Sequence, residues 1–250
     1  MPPRLHLDLP LAPAADLALP AAAARHVQVL RLQAGDALTL FDGCGGEWAA
    51  EVSAVGRREV RVRLLRFEAV ERELGRAVTL ALGMPANDRM DALVEKATEL
   101  GAAAMQPLVC ERSVLRLHGE RAERRREHWQ AVAVAACEQC GRNRVPRVAP
   151  VATLTDWLAT LPPVAAGEAR LVLTLQAGAA PLAAAAGPAH RLLLLSGPEG
   201  GLSEAEQRAA QRAGFVPASL GARVLRADTA PLAALAGVAA LDLTGADDAP

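Results

Sequence analysis

Tyrosine is absent from the 250 residues, and only three phenylalanines and three tryptophans are present. The aromatic platforms on which unpaired bases stack are therefore scarce. Any recognition of nucleic acid must rest on arginine, phosphate contacts and shape. Lysine is nearly absent too: Lys96 is the single one among 27 basic residues, set against 28 acidic ones for a net charge of −1. A balance this even gives no global pull toward nucleic acid. No apolar run approaches the roughly 20 residues that cross a bilayer. The first residues carry acids and prolines rather than a basic start before an apolar block, so they do not read as a secretion signal. A cytoplasmic protein with no membrane partner is the expectation. Cysteine is also sparse, with Cys44, Cys110, Cys137 and Cys140. The last two form a C-x-x-C, but a structural zinc site usually takes two such pairs, and this pair follows a long helical stretch instead of opening a helix. No metal is expected, and packing is the favoured role.

What is present is apolar material, 52% of the chain, enough for one large core or two modest ones. Residues 4–66 read as mostly β. A strand-like run from Ala37 to Phe41 ends in Asp42-Gly43-Cys44-Gly45-Gly46, a hairpin signal, and Trp48 to Val55 returns. In Glu59 to Arg66 the apolar Val60, Val62 and Leu64 alternate with arginines, and Arg57 and Arg58 precede them. These short strands indicate a small barrel over residues 1–70, joined by the charged stretch Glu68 to Arg76 to a second domain over 76–245.

In that second part the period changes. Val78 to Met84 is a strand of buried type. Asp88 to Leu100 places Met90, Leu93, Val94, Ala97 and Leu100 on one helical stripe, and Gly101 stops it. Further strands are expected at Ala104 to Val109, Leu171 to Leu175, Leu192 to Ser196 and Phe215 to Leu220. Helices are expected at Glu120 to Gln139 and Thr229 to Leu241. Alternation of this kind implies an α/β fold around a parallel sheet covered on both faces.

The sharpest chemical signal is the apolar strand Leu192 to Leu195 running into Ser196-Gly197-Pro198-Glu199-Gly200-Gly201. Ser203 and Glu206 stand at capping-box spacing for a helix that follows. Ligands of α/β folds bind at the carboxyl ends of strands, and glycine lets a ligand approach the backbone. The turn is neither G-x-G-x-x-G nor a P-loop. A second turn, Leu220-Gly221-Ala222-Arg223-Val224-Leu225-Arg226, again follows a strand, and two such turns converging would line a pocket with backbone.

Those two segments, the second continuing through Ala227-Asp228-Thr229-Ala230, resemble the paired cofactor loops of the 16S ribosomal RNA uracil-N3 methyltransferases of the SPOUT superfamily. Other stretches are similar to the same family in the same order. They are His26 to Leu32 with Gly35-Asp36; Asp88-Arg89-Met90 with Glu95 to Gly101; Pro107 through Glu111-Arg112-Ser113; and Ala136-Cys137-Glu138-Gln139-Cys140-Gly141-Arg142 with Val145-Pro146. The chain departs from the family in having Ala86 at a usual lysine, Cys140 at a usual serine, Ala227 at a usual threonine, and aspartates at 91 and 228 where the acid is usually one methylene longer.

The resemblance implies a knotted SPOUT domain, with a parallel sheet and a trefoil knot, behind a PUA-like N-terminal β-barrel. It implies a homodimer that binds S-adenosylmethionine and methylates N3 of uracil 1498 in the 16S rRNA of the small ribosomal subunit. The cofactor cradle would be Leu175, Gly197, Glu199, Gly200, Gly201, Leu220, Gly221, Val224, Leu225 and Arg226. Glu199 and Glu138 are candidates to take the uracil proton. Arg142 and Arg226 are candidates to stabilise the developing oxyanion. Arg25, His26, Arg31, Arg61, Arg63, Arg89 and Arg112 are the candidate RNA contacts. Ribose 2′-O-methylation and a non-catalytic role in ribosome assembly are the rival readings.

Overall fold

The computed structural model describes residues 2–13, 16–57, 59–86 and 89–245, with side chains described as far as 242; Arg58 of the arginine-rich run and Asp88 of the first expected helix lie outside the described residues. The chain divides into two compact units, Met1–Glu73 with Val134–Val145, and Leu74–Ala133 with Pro146–Pro250.

The first unit contains β1 (Arg4–His6), β2 (Asp16–Ala18), α1 (Ala21–Val29), β3 (Ala37–Phe41), β4 (Glu47–Val55) and β5 (Val60–Glu68). Its sheet runs in the order β1-β3-β4-β5-β2, parallel between β1 and β3 and antiparallel elsewhere. The period-two pattern sets the sides: Val60, Val62 and Leu64 are buried with Leu38, Leu40, Ala50 and Val52, while Arg63 faces out. A register shift pairs Ala49 with Arg66 and Ala50 with Leu64, so Leu65 has no partner on β4 and stands 55% exposed.

Helix α1 departs from the mostly β reading of this region. Pro20 stands at its N-cap with φ −53°, and four alanines, the best helix formers, follow at 21–24. Ala24 and Val27, three apart, supply a buried side, too short a pattern to be seen against an alanine-rich background.

Residues 134–145 join this unit through specific polar contacts. Arg4 Nη2 donates to Asn143 Oδ1 at 2.6 Å, and the His6 backbone N–H donates to Glu138 Oε1 at 2.9 Å. Asn143 Nδ2 donates to the Val70 carbonyl at 2.6 Å.

The second unit comprises β6 (Ala77–Gly83), α2 (Arg89–Glu99), β7 (Ala104–Val109), α3 (Gly119–Cys140, its last turns belonging to the first unit), β8 (Arg147–Val148), β9 (Ala152–Thr153), α4 (Leu154–Thr160), β10 (Glu168–Leu173), β11 (Ala180–Pro181), α5 (Leu182–Ala186), β12 (Arg191–Ser196), α6 (Glu204–Arg212), β13 (Phe215–Ser219) and α7 (Thr229–Gly245). Every pairing in its sheet is parallel, in the order β11-β13-β10-β12-β6-β7-β8, with β9 also on β7.

Such strands must bury both faces, and they do. Val78, Leu80, Leu192 and Leu194 pack with Met90, Leu93, Val94, Leu235 and Val238 of α2 and α7. Ala81, Leu108 and Leu195 pack on the other side with Trp157 of α4 and Ala210 of α6. Helix α2 ends as its sequence requires, with Gly101 at φ +93°. Among the described residues no helix is long and apolar enough to cross a membrane.

Candidate active site

Strands β13, β10 and β12 are neighbours and point the same way, so the loops after them emerge side by side. Between these loops lies a cavity of about 550 Å³, within the range of ordinary small-molecule sites. Of the expected cofactor residues, Leu175, Gly197, Glu199, Gly201, Leu220, Val224, Leu225 and Arg226 line it; Gly200 and Gly221 stand beside it in the same loops.

The 197–202 loop is held from several directions. Ser203 caps α6 by accepting the Glu206 N–H, and Glu206 Oε2 accepts the Ser203 N–H at 2.8 Å, a complete capping box. The second oxygen of that carboxylate does a separate job: Oε1 accepts the Glu111 N–H at 2.8 Å, and Glu206 is only 5% exposed. Arg112 Nη1 donates to the Gly200 carbonyl at 3.0 Å. Gln207 Nε2 donates to the Leu202 carbonyl at 3.0 Å and its oxygen accepts from Gln176, so α6 also reaches the loop after β10. At the end of β6, a Cβ on Gly83 would lie 2.6 Å from the Pro198 backbone nitrogen, so only glycine lets this strand touch the loop. Gly221 is different. Its φ is +97° and a Cβ there would meet nothing within 4 Å, so the need is conformational.

Glu199 reaches from the loop to the turn after β6, where its Oε1 accepts the Ala86 N–H at 2.9 Å. Arg89 and Arg112, expected as RNA contacts, stand on the cavity wall. Arg89 opens α2 and lies 3.8 Å from Glu199 and 4.0 Å from Asp228. Asp91, in the first turn of α2 but on another side, accepts from Trp129 Nε1 at 2.9 Å and pairs with His128 at 2.7 Å.

The other candidates lie in the first unit. Glu138 accepts the His6 N–H, and Arg142 is 3% exposed with its Nε donating to Glu73 at 3.0 Å. Arg25 in the middle of α1, His26 in its last turn and Arg31 just beyond it are exposed, Arg31 with φ +57°. Arg61 is already flanked by acids, with Asp16 at 3.2 Å and Glu59 at 2.8 Å, and Arg63 stands opposite both Glu51 and Asp16 in register. Cys137 is buried, its thiol pushed up to about 12 by burial, and its Sγ lies 3.6 Å from the Arg144 carbonyl. Among the described residues no group of three or more His, Cys, Asp or Glu side chains could hold a metal ion.

The residues present fit S-adenosylmethionine. Gly201 and Gly221 have positive φ and leave open the space a Cβ would fill. Val172, Leu173 and Leu202 give the cavity an apolar wall and the glycine-rich turns present backbone polar groups to it, the mixture of surfaces a nucleoside-bearing cofactor requires.

Comparison with known proteins agrees with this geometry. A family model described as the RNA methyltransferase domain matches residues 72–239, and one described as the RNA methyltransferase PUA domain matches 19–65. The ribosomal RNA small subunit methyltransferase E of Bacillus subtilis is 34% identical over 217 residues, covering 85% of this chain and 84% of that protein. Its namesake in Synechocystis is 36% identical over 218 residues, covering 86% of this chain and 69% of that protein. A crystal structure of the enzyme of that name from Neisseria gonorrhoeae, bound to S-adenosylmethionine, superposes with a TM-score of 0.89 at 34% identity, covering 96% of this chain and 98% of that one.

Proposed function

The chain belongs to the RNA methyltransferase family that includes ribosomal RNA small subunit methyltransferase E, and from that premise we propose that it transfers the methyl group of S-adenosylmethionine to N3 of a uracil in 16S rRNA, at the position numbered 1498. The observation that carries the reading is the meeting of three strand-end loops at one cavity with the Glu199 carboxylate on its wall. Bound S-adenosylmethionine supplies an electrophilic methyl group on a sulfonium.

The work of the chain is then to position and to move a proton. In-line transfer gains mainly from fixed geometry, and the clamps from Glu206, Arg112 and Gln207 fix the loops. Uracil N3 carries a proton, and Glu199 is the group on the wall that takes it. The Ala86 N–H bonded to Oε1 orients that carboxylate.

The functional molecule in this reading is a cytoplasmic homodimer with a trefoil-knotted SPOUT domain; Glu138, bonded to the His6 N–H, and Arg142, 3% exposed and bonded to Glu73, order their own unit in it rather than touch the substrate. RNA is gripped through Arg25, His26, Arg31, Arg61 and Arg63 of the first unit, with Arg89 and Arg112 beside the reacting base. The test is nucleoside mass spectrometry of small-subunit rRNA after incubation with the protein and S-adenosylmethionine. The reading expects 3-methyluridine. A 2′-O-methylated nucleoside would point to ribose methylation instead, and cofactor binding without transfer to any form of the RNA would point to a binding factor.

A further inference from the structure

We propose that Arg89 is a catalytic residue, its guanidinium meeting the uracil oxygen on which negative charge develops as N3 loses its proton. The inference rests on the reading of the site as a uracil-N3 methyltransferase centre and adds to it the cation that the reaction needs.

Three acidic and basic groups from three segments meet at this wall. Arg89 Nη1, at the start of α2, stands 3.8 Å from Glu199 Oε1 and 4.0 Å from Asp228 Oδ1, with side-chain exposures of 39%, 32% and 32%. Both distances are too long for hydrogen bonds, so the guanidinium is held by charge while its N–H groups are not spent on either carboxylate. Asp228 Oδ1 is itself buried without a hydrogen-bond partner among the described residues. A buried carboxylate oxygen left without a partner calls for an explanation, and a catalytic role for the group is one. Other cations line the cavity, but Arg112 donates to the Gly200 carbonyl, and neither Arg223 nor Arg226 pairs with Glu199. Among the described residues Arg89 is the cation within 4 Å of the group that takes the proton.

The charge flow assigns its role. The N3–H bond breaks and the proton passes to Glu199. The N3 electron pair forms the bond to the methyl carbon as the carbon–sulfur bond breaks, its pair remaining on sulfur as a neutral thioether. When Glu199 becomes neutral, Arg89 loses one of its two counter-charges at the moment the uracil oxygens gain theirs. A preorganised cation aimed at developing charge is worth most in such a site.

The experiment uses the full chain with Arg89→Gln and Arg89→Lys. Cofactor affinity is measured by calorimetry, and single-turnover methylation of small-subunit rRNA is followed across pH. Arg89→Gln should lower the rate about 100- to 1,000-fold while the cofactor Kd stays within about threefold. Its rate should climb with pH more steeply than that of the wild type, as ionisation of the uracil itself replaces the missing cation, and Arg89→Lys should recover part of the loss. The inference is overturned by a rate within about threefold of wild type, by a loss seen wholly as weaker cofactor binding, or by an equal loss at every pH. A wild-type product other than 3-methyluridine overturns the underlying reading and the inference with it; 3-methyluridine made at full rate by Arg89→Gln overturns the inference alone.

Discussion

Glu206 Oε1 accepts the backbone N–H of Glu111 at 2.8 Å, across 95 residues of sequence. The other oxygen of the same carboxylate closes the cap of α6 on Ser203, so one buried side chain ties the turn after β7 to the exit of the loop that lines the cavity. A glutamine there keeps one acceptor oxygen and turns an NH2 toward the other N–H. Glu206→Gln should therefore lose about 2 kcal/mol of stability, the scale of a buried charge-assisted hydrogen bond, and should bind S-adenosylmethionine more weakly. Urea denaturation and calorimetry measure the two effects. Unchanged cofactor affinity in the destabilised variant would show that the tie serves folding alone.

The loop after β13 depends on Gly221 in another way. With φ at +97°, any β-branched residue is strained, and its side chain would project into space that is now open. Gly221→Val should remain folded by circular dichroism and lose at least about tenfold in cofactor affinity, a little over 1 kcal/mol of binding. A folded variant with wild-type affinity would remove this loop from the pocket.

Charge accounting in the first unit ranks its arginines. Arg61 is flanked by Asp16 and Glu59, whereas Arg25 and Arg31 are exposed and neither forms a salt bridge among the described residues. Every arginine withdrawn from a phosphate should lower the salt slope of RNA binding by about one unit. Arg25→Gln with Arg31→Gln should flatten the slope by about two units, and Arg61→Gln with Arg63→Gln should flatten it less. Titrations at several salt concentrations decide, and the reverse order would move the RNA-binding surface onto β5.

Glu47 couples this unit to pH. It pairs with Arg4 at 2.6 Å and Arg72 at 3.1 Å, and its side chain and that of Arg4 are 12% and 8% exposed. Burial pushes its carboxyl up, but the bonds from Arg4, Arg72 and Asn143 outweigh that and hold it below the ordinary value of 4.5. A depressed folded pKa contributes stability that is complete above the unfolded value and is lost as pH falls through the folded one. Thermal melts should therefore show stability falling below about pH 4.5. Glu47→Gln should melt lower at neutral pH, by about 3 kcal/mol or less since Arg4 is left buried without its counter-charge, and should lose part of the acid sensitivity. An acid response identical to that of the wild type would place it on other carboxylates.

Local pattern carried much of this architecture into the sequence. Val60, Val62 and Leu64 alternate, Met90, Leu93, Val94 and Ala97 share a stripe, and Ser203 with Glu206 spell a capping box, because each is governed by neighbours within a few residues. Helix α1 was hidden, since Ala24 and Val27 are a short signal among many alanines. The Glu206–Glu111 tie, the Arg4–Asn143 bond that joins 134–145 to the first unit, and the place of Arg89 and Arg112 on the cavity wall were hidden for another reason. They arise from segments about 90 to 140 residues apart, and no periodicity records which loops a parallel sheet brings together. The arginines were visible as charge, but the acids facing Arg61 became visible only through strand register.

Methylation at N3 can be read in cells whose own 16S rRNA uracil-N3 methyltransferase gene has been deleted, by mass spectrometry of 16S rRNA fragments with and without this chain. The wild-type chain should restore one 3-methyluridine at position 1498, and Glu199→Gln should restore little or none. A fragment left unmethylated by well-expressed, cofactor-binding wild-type protein, or methylated on a ribose instead of the base, would contradict methylation at N3.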